Sequence, residues 1–308
     1  MGKKYSAVGG QALIEGIMMK GPESIAIAVR KQNGQIELKT EKPLKIEKTF
    51  LMKIPFVRGS IALISSMIVG IKALSYSAEF FAEAEEEYEA KGFEKWLYEK
   101  MGDKAETVLV VFSMVFALAM AFLLFGVIPS FLIGTLRNVV NSQVLLSAFE
   151  GIVKISMFLA YVIIISRMKD VKRVFEYHGA EHKTIHCLES GEELTVENAR
   201  KFTTLHPRCG TSFLLIVFVI SIIMFTFISW DSIWIRILTK VVLLPLVAGI
   251  SYEIIRWAGK NNGKLVDIVS YPGLMMQKLT TNEPDDDQLE VAIVAIKEVL
   301  KHSGDKEK

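Results

Sequence analysis

The chain has little cysteine and almost no net charge. Two cysteines in 308 residues, Cys187 and Cys209, are too few for a disulfide scaffold. With 36 Lys and Arg against 34 Asp and Glu, the formal charge is only +2. That total neither requires nor forbids nucleic acid, and no nucleic-acid partner is expected. No secretory signal peptide is expected either. Met1 to Tyr5 is basic, but Ala7 to Met19 is broken by Gly9, Gly10, Gln11, Glu15 and Gly16. The glycine-rich stretch Gly9 to Pro22 lacks the G-K-[ST] ending of a phosphate loop, so nucleotide binding has poor support there.

What the sequence does have is apolar residues, 51% of the chain with a mean hydropathy of +0.35, gathered into long runs. Thr107 to Gly134 carries no charge and exceeds the roughly 20 residues that cross a hydrocarbon core of about 30 Å. Val144 to Ser166 is also long enough, and contains Glu150 and Lys154 at i,i+4 on one helix face. The pair reads as snorkelling towards an interface or a lock on a neighbouring helix, or as a proton or ligand site within the membrane. Phe213 to Trp230 and Ile235 to Tyr252 read as a helical hairpin with Trp230 and Trp234 at its tip. Ser60 to Ser75 is apolar without interruption only from Ile61 to Ile71, so re-entrant, interfacial and spanning readings compete.

Basic residues decide the orientation. Arg167, Lys169, Lys172 and Arg173 follow the second long run, and Arg256, Lys260 and Lys264 follow the last. Basic flanks face the cytosol. Four spans then leave both termini and Asp170 to Thr211 in the cytosol, with Ser60 to Ser75 not crossing. The expected fold is a mainly α, polytopic helical membrane protein with a small N-terminal β element. Its segments are 1–58 (glycine-rich and hairpin), 59–106 (re-entrant or interfacial, then an acidic amphipathic helix), 107–166 (two spans), 167–212 (loop), 213–255 (hairpin) and 256–308 (tail). The β element rests on the alternation of Ile25 to Thr40 around Asn33-Gly34, a tight-turn signal. In the tail, Asp285, Asp286 and Asp287 suit the start of a helix from Leu289 to Leu300 better than a cation site.

Four of the five histidines and both cysteines fall between Tyr177 and Gly210. On a helix His178, His182 and His186 recur every four residues and share a face, with Glu181 beside them. His206 and Cys209 follow on a segment that Pro207 keeps from being smoothly helical. Imidazole and thiolate together suit Zn²⁺. The ligand order is His182, His186, His206 and Cys209, with His178 as substitute. Glu181 would orient water or take a proton, and Arg208 would hold an anionic group. Gln11 and Glu15 are further polar candidates. The HExxH pattern is absent, so no protease mechanism transfers.

Four blocks, GGQALIEGIMMKGP, YHGAEHKTIHCLE, HPRCGTSFL and YPGLMMQKLTTNEPDDDQLEVAI, resemble the YqhQ-like family of uncharacterised bacterial membrane proteins, and the resemblance spans nearly the whole chain. It implies a multi-pass protein of the bacterial inner membrane, in a family labelled as predicted metal-dependent enzymes. Two functions are expected to compete. One is a membrane-embedded metal-dependent hydrolase acting on a lipid-linked or membrane-protein substrate at the cytosolic face. The other is a non-enzymatic accessory subunit of a complex for protein insertion or envelope assembly, in which the His/Cys loop is architectural. Membrane lipid, and a membrane-protein partner or a second copy, are the expected neighbours.

Overall fold

The computed structural model describes residues 8–82, 92–102, 104–136, 139–140, 142–228, 232–261 and 263–302. Four strands come first: β1 (Gly9–Leu13), β2 (Gly16–Lys20), β3 (Ile25–Arg30) and β4 (Ile36–Glu41). Helices follow as α1 (Val57–Ala82), α2 (Phe93–Met101), α3 (Lys104–Phe122), α4 (Ile128–Leu136), α5 (Gln143–Ile165), α6 (Lys169–Ser190), α7 (Val196–Arg200), α8 (Gly210–Thr226), α9 (Ile233–Lys260), α10 (Lys264–Thr280) and α11 (Asp286–His302). One π turn, Leu123–Val127, joins α3 to α4. The chain divides into two compact units, 1–82 with 160–220 and 244–308, and 83–159 with 221–243.

In the first unit the strands form an antiparallel meander in the order β1-β2-β3-β4. Both faces of this sheet are covered, and the side-chain alternation sorts residues between them. Ile17, Met19, Ala26 and Ala28 point to one face, where they pack with α6 and α11 through Tyr177, Ala180, Leu289 and Ile296. The small Ala26 and Ala28 allow the helices to come close. Leu13, Met18, Ile25, Ile27 and Val29 point to the other face and pack against Val69 and Ala73 of α1. The Asn33-Gly34 turn forms as its sequence predicts, with Gly34 at φ 84°. The glycine-rich segment forms a second hairpin, β1-β2, whose turn places Glu15 at φ 47°.

The α1 helix makes two kinds of contact. Its second half lies against the sheet, so close that a Cβ on Gly70 would strike the Gln11 side chain. Its first turn lies on α9: Ser60 Oγ donates to the Pro245 carbonyl at 2.7 Å, and Arg58 forks onto the Glu253 carboxylate. Gly59 and Gly249 meet there, with no room for a Cβ on either. In the tail, Asp285 accepts the Gln288 N–H at 2.8 Å while Gln288 Oε1 accepts the Asp285 N–H at 2.9 Å. This reciprocal capping box starts α11.

Four described helical stretches are long and apolar enough to cross a membrane: Val57–Phe81, Val108–Leu136, Val144–Ile165 and Ile237–Lys260. These fit a membrane protein, but the set differs from the runs read in the sequence. The α8 helix stops at Thr226 after 17 residues, one of the shorter apolar helices, and 229–230 of the predicted run lie outside the described residues. The Ser60 to Ser75 segment instead extends in both directions into the 26-residue α1. Of the acidic stretch from Ala82 to Glu106, residues 83–91 lie outside the described residues, and α2 buries Leu97 while Trp96 and Tyr98 are exposed.

Candidate metal centre

Everything in this centre hangs on α6. The helix runs 22 residues, and Gly191 ends it in the left-handed region at φ 72°, where its N–H reaches the Leu188 carbonyl. Its buried face carries Tyr177, Glu181, His182, His186 and Glu189. The chain after α10 crosses this helix at Gly179, where a Cβ would sit 2.0 Å from the Asn282 carbonyl oxygen. That close crossing brings the Thr280 carbonyl to His178.

Two trios of ligand-type side chains result, each with its donor atoms within 4.8 Å of one another: His178, His182 and Cys209, and then His186, Glu189 and His206. His182 contacts both, with its ring 4.5 Å from that of His178 and 5.6 Å from that of His206. Hydrogen bonding separates the trios. His178 Nδ1 lies 2.8 Å from the Thr280 carbonyl, and His182 Nδ1 bonds the Thr204 carbonyl. A carbonyl only accepts, so both Nδ1 atoms carry the proton and both Nε2 atoms keep their lone pairs. His178 Nε2 is 3.1 Å from Cys209 Sγ, and His182 also bonds that sulfur. Imidazoles tied at one nitrogen to the main chain and open at the other are the usual arrangement around a bound metal. Cys209 precedes the first turn of α8, and the Thr211 N–H points at its sulfur from 3.4 Å. A thiolate there has a donor ready to stabilise it.

The second trio is engaged differently. His186 commits Nε2 to the Leu205 carbonyl at 2.8 Å, the opposite tautomer to its neighbours. Glu189 receives the Arg208 guanidinium, which also lies 3.5 Å from His206 Nε2. A cation therefore already occupies that carboxylate. Gln277, fully buried, holds the loop by its main chain: it accepts the His206 N–H and donates to the His206 carbonyl, both at 2.7 Å. The residues that fit Zn²⁺ best are His178, His182 and Cys209, a donor set of two imidazoles and one thiolate.

Glu181 lies beside the first trio, 6% exposed, with Gly10 of β1 donating to it from the main chain. Gly10 has to be glycine because a Cβ there would press on Glu181 and on the β2 main chain. Burial raises the Glu181 carboxyl above the usual carboxylate range, against the pull of His178, His206 and the Gly10 N–H. Burial likewise lowers His182, favouring its neutral, ligating form. The thiol of Cys187 is pushed up to about 11 by burial and points at the Glu193 carbonyl, away from the trios.

The other sequence candidates are elsewhere. Gln11 faces α1, on the opposite side of the sheet from Glu181. Glu15 pairs with Arg173 and accepts from the Tyr177 hydroxyl at 3.1 Å. Glu150 and Lys154 belong to the second unit. Asp285 to Asp287 cap and pair with Arg173, Arg200 and Arg30. Two residues escape the sequence reading. Glu189 stands three after His186, an i,i+3 spacing that a search for acids on the histidine face finds. Gln277 sits in LMMQKL with no local signal.

Comparison with known proteins agrees with this sequence pattern. A family described as "Protein of unknown function (DUF1385)" matches residues 54–302. The chain is 34% identical over 303 residues to "Uncharacterized protein YqhQ" of Bacillus subtilis (strain 168), covering 96% of this chain and 92% of that protein. No solved structure matches. The family match over residues 54–302, with the relative's match over 96% of the chain, makes this protein a member of the DUF1385, YqhQ-like family.

Proposed function

We propose that the protein is a membrane-embedded, zinc-dependent enzyme, a hydrolase working at the cytosolic face on a lipid-linked or membrane-protein substrate. The observation carrying this is the pair of main-chain-tied histidines whose free nitrogens converge on Cys209. His178, His182 and Cys209 would hold the ion. Three protein ligands are the number found in catalytic zinc sites, where the metal supplies Lewis acidity towards a carbonyl or phosphoryl oxygen. Glu181, kept protonatable by burial, is the group that would hold and move a proton there. Arg208 keeps Glu189 in place and flanks His206.

The membrane placement follows from parity. The sheet packs on both α6 and α11, which supports one side of the membrane for all three. An even number of crossings then separates β4 from α6. Three apolar helices lie between, so this reading needs one of them not to cross, and it gives that role to α1 although α1 is long and apolar enough to span. It begins beside Gly249, near the middle of the apolar part of α9, and returns to the sheet. Likewise α8, though short, crosses with α9 to return the chain to α11. Cysteines introduced at Ser142 and Ser232 should be labelled from outside intact cells, while one at the exposed Lys201 should not. Native Cys187 is a poor marker because it is buried. Labelling at Lys201 from outside would refute the orientation.

The burial of His182 and Cys209, 1% and 8% exposed, favours a second reading in which the metal only staples the loop for an accessory subunit. Glu181→Gln against His182→Ala in a strain with a scorable phenotype separates the two. Loss in both, with metal and membrane level retained in Glu181→Gln, is the enzyme result. Full function in Glu181→Gln is the accessory result.

A further inference from the structure

The α10 helix turns an exposed apolar face away from the loop it supports. Leu265, Ile268 and Tyr271 are 71%, 67% and 60% exposed. With Pro272 and the half-buried Met275 they recur every three or four residues and so share one face. Lys264 and Lys278 are exposed at the two ends of this stripe, and Asp267 is exposed along one edge. The opposite face is taken up by protein. Gly273 lies against Ser212, where a Cβ would be 2.4 Å from the hydroxyl oxygen. Gln277 donates to that oxygen at 2.9 Å while it holds the main chain of His206. One side of α10 is therefore a wall of the metal loop, and the other is uncovered.

Two observations put that face at a bilayer surface. The helix follows α9, whose apolar stretch ends at Lys260 and whose last turns carry Arg256 and Lys260, with Trp257 43% exposed. A basic end beside an exposed aromatic marks the boundary between hydrocarbon and water. Independently, the metal loop reaches the same level, because Arg208 packs on Gly259, where a Cβ would lie 2.7 Å from its Cδ. Gly263, at φ 135°, lets the chain turn between the two helices. At 17 residues α10 is about 25 Å long, short of a hydrocarbon core of about 30 Å. Charge then selects the occupant. Arg256, Lys260, Lys264 and Lys278 stand around the face with Asp267, while Glu253 is engaged by Arg58. A second copy would bring the same basic residues against it, whereas anionic phospholipid headgroups complement them.

We propose that α10 lies in the plane of the membrane surface, with Leu265, Ile268 and Tyr271 in the acyl chains and Lys264 and Lys278 on anionic phospholipid headgroups. The metal loop is then held at headgroup level by a helix whose outer side is lipid. Assignment to the cytosolic leaflet rests on the orientation proposed above; the lipid contact depends neither on that orientation nor on zinc.

The test is spin-label accessibility in the full-length protein, reconstituted into vesicles of phosphatidylcholine with phosphatidylglycerol. Nitroxides are attached singly to Ile268→Cys and Tyr271→Cys, and the unmodified protein, whose own cysteines are buried, sets the background. Both labels should be relaxed by oxygen and shielded from a water-soluble nickel chelate, at a depth of about 5–10 Å below the headgroups. A label at the exposed Lys201 should show the reverse. Omitting phosphatidylglycerol, or adding Lys264→Gln with Lys278→Gln, should lower the oxygen-to-nickel ratio at both positions. Nickel access at Ile268 and Tyr271 would put the face in water, and shielding from both reagents would put it against protein, a second copy included. A depth near the bilayer centre would make α10 a spanning helix. Each of these overturns the proposal, and a ratio indifferent to both phosphatidylglycerol and the two lysines overturns its headgroup part. Two separately labelled positions decide even if one variant fails to fold. The readout needs no zinc or activity, so loss of the enzyme reading would leave it standing.

Discussion

The chain buries polar side chains in two places, and the two are held by different chemistry. On α6 the histidines are tied to main-chain carbonyls, from Thr204, Leu205 and Thr280, so the backbone dictates where each free nitrogen points. In the second unit Glu150, Lys154, Lys240 and Ser130 are held by one another. The first arrangement is preorganised: its donors are aimed before anything arrives. The second depends on ion pairing between buried side chains, and removing one member takes a charged partner from the others. Preorganisation suits a site that binds and reacts. Mutual charge suits a lock between helices.

That contrast predicts an order of damage. Glu150→Ala strands Lys154 and Lys240 without their carboxylate and should cost about 3–5 kcal/mol, read as a fall in thermal midpoint or in membrane level. A mild effect would mean the cluster is held by something other than charge. Gly179→Ala acts on the other region through the backbone. The new methyl meets the Asn282 carbonyl, and displacing that strand should cost about 1–3 kcal/mol while also shifting the Thr280 carbonyl from His178. Metal loss in Gly179→Ala at temperatures where the protein remains folded would sharpen the claim that main-chain carbonyls aim the ligands. Asp285→Ala removes the α11 cap and should cost about 1 kcal/mol, with metal content unchanged because α11 only supports the sheet side of α6.

The sequence makes parts of this legible and hides others for physical reasons. Helical spacing brings His178, His182 and His186 onto one face, and the fold-back of His206 and Cys209 follows from their shared chemistry. The division into two trios does not, because it is made by the carbonyls of Thr204 and Thr280, which no side-chain pattern reports. The β1-β2 hairpin is hidden for another reason. Both faces of β2 are buried, so Met18 and Met19 are equally apolar although they point to opposite sides, and alternation disappears. The β3-β4 hairpin stays visible because Asn33-Gly34 marks its turn and β4 is half exposed. The helix bounds differ from the apolar runs at α1 and α8. The Ser60 to Ser75 run lengthens into 26 helical residues, of which Val69, Ala73, Tyr76 and Phe80 pack on the sheet.

The proposed zinc site is His178, His182 and Cys209, beside a second trio in which Glu189 pairs with Arg208 next to His206. Metal analysis of protein purified without chelator tests it directly. About one zinc per chain is expected, lost in His182→Ala and Cys209→Ser and kept in His186→Gln and His206→Gln. No stoichiometric metal in the unmodified protein, or zinc that survives Cys209→Ser but leaves with His206→Gln, would contradict it.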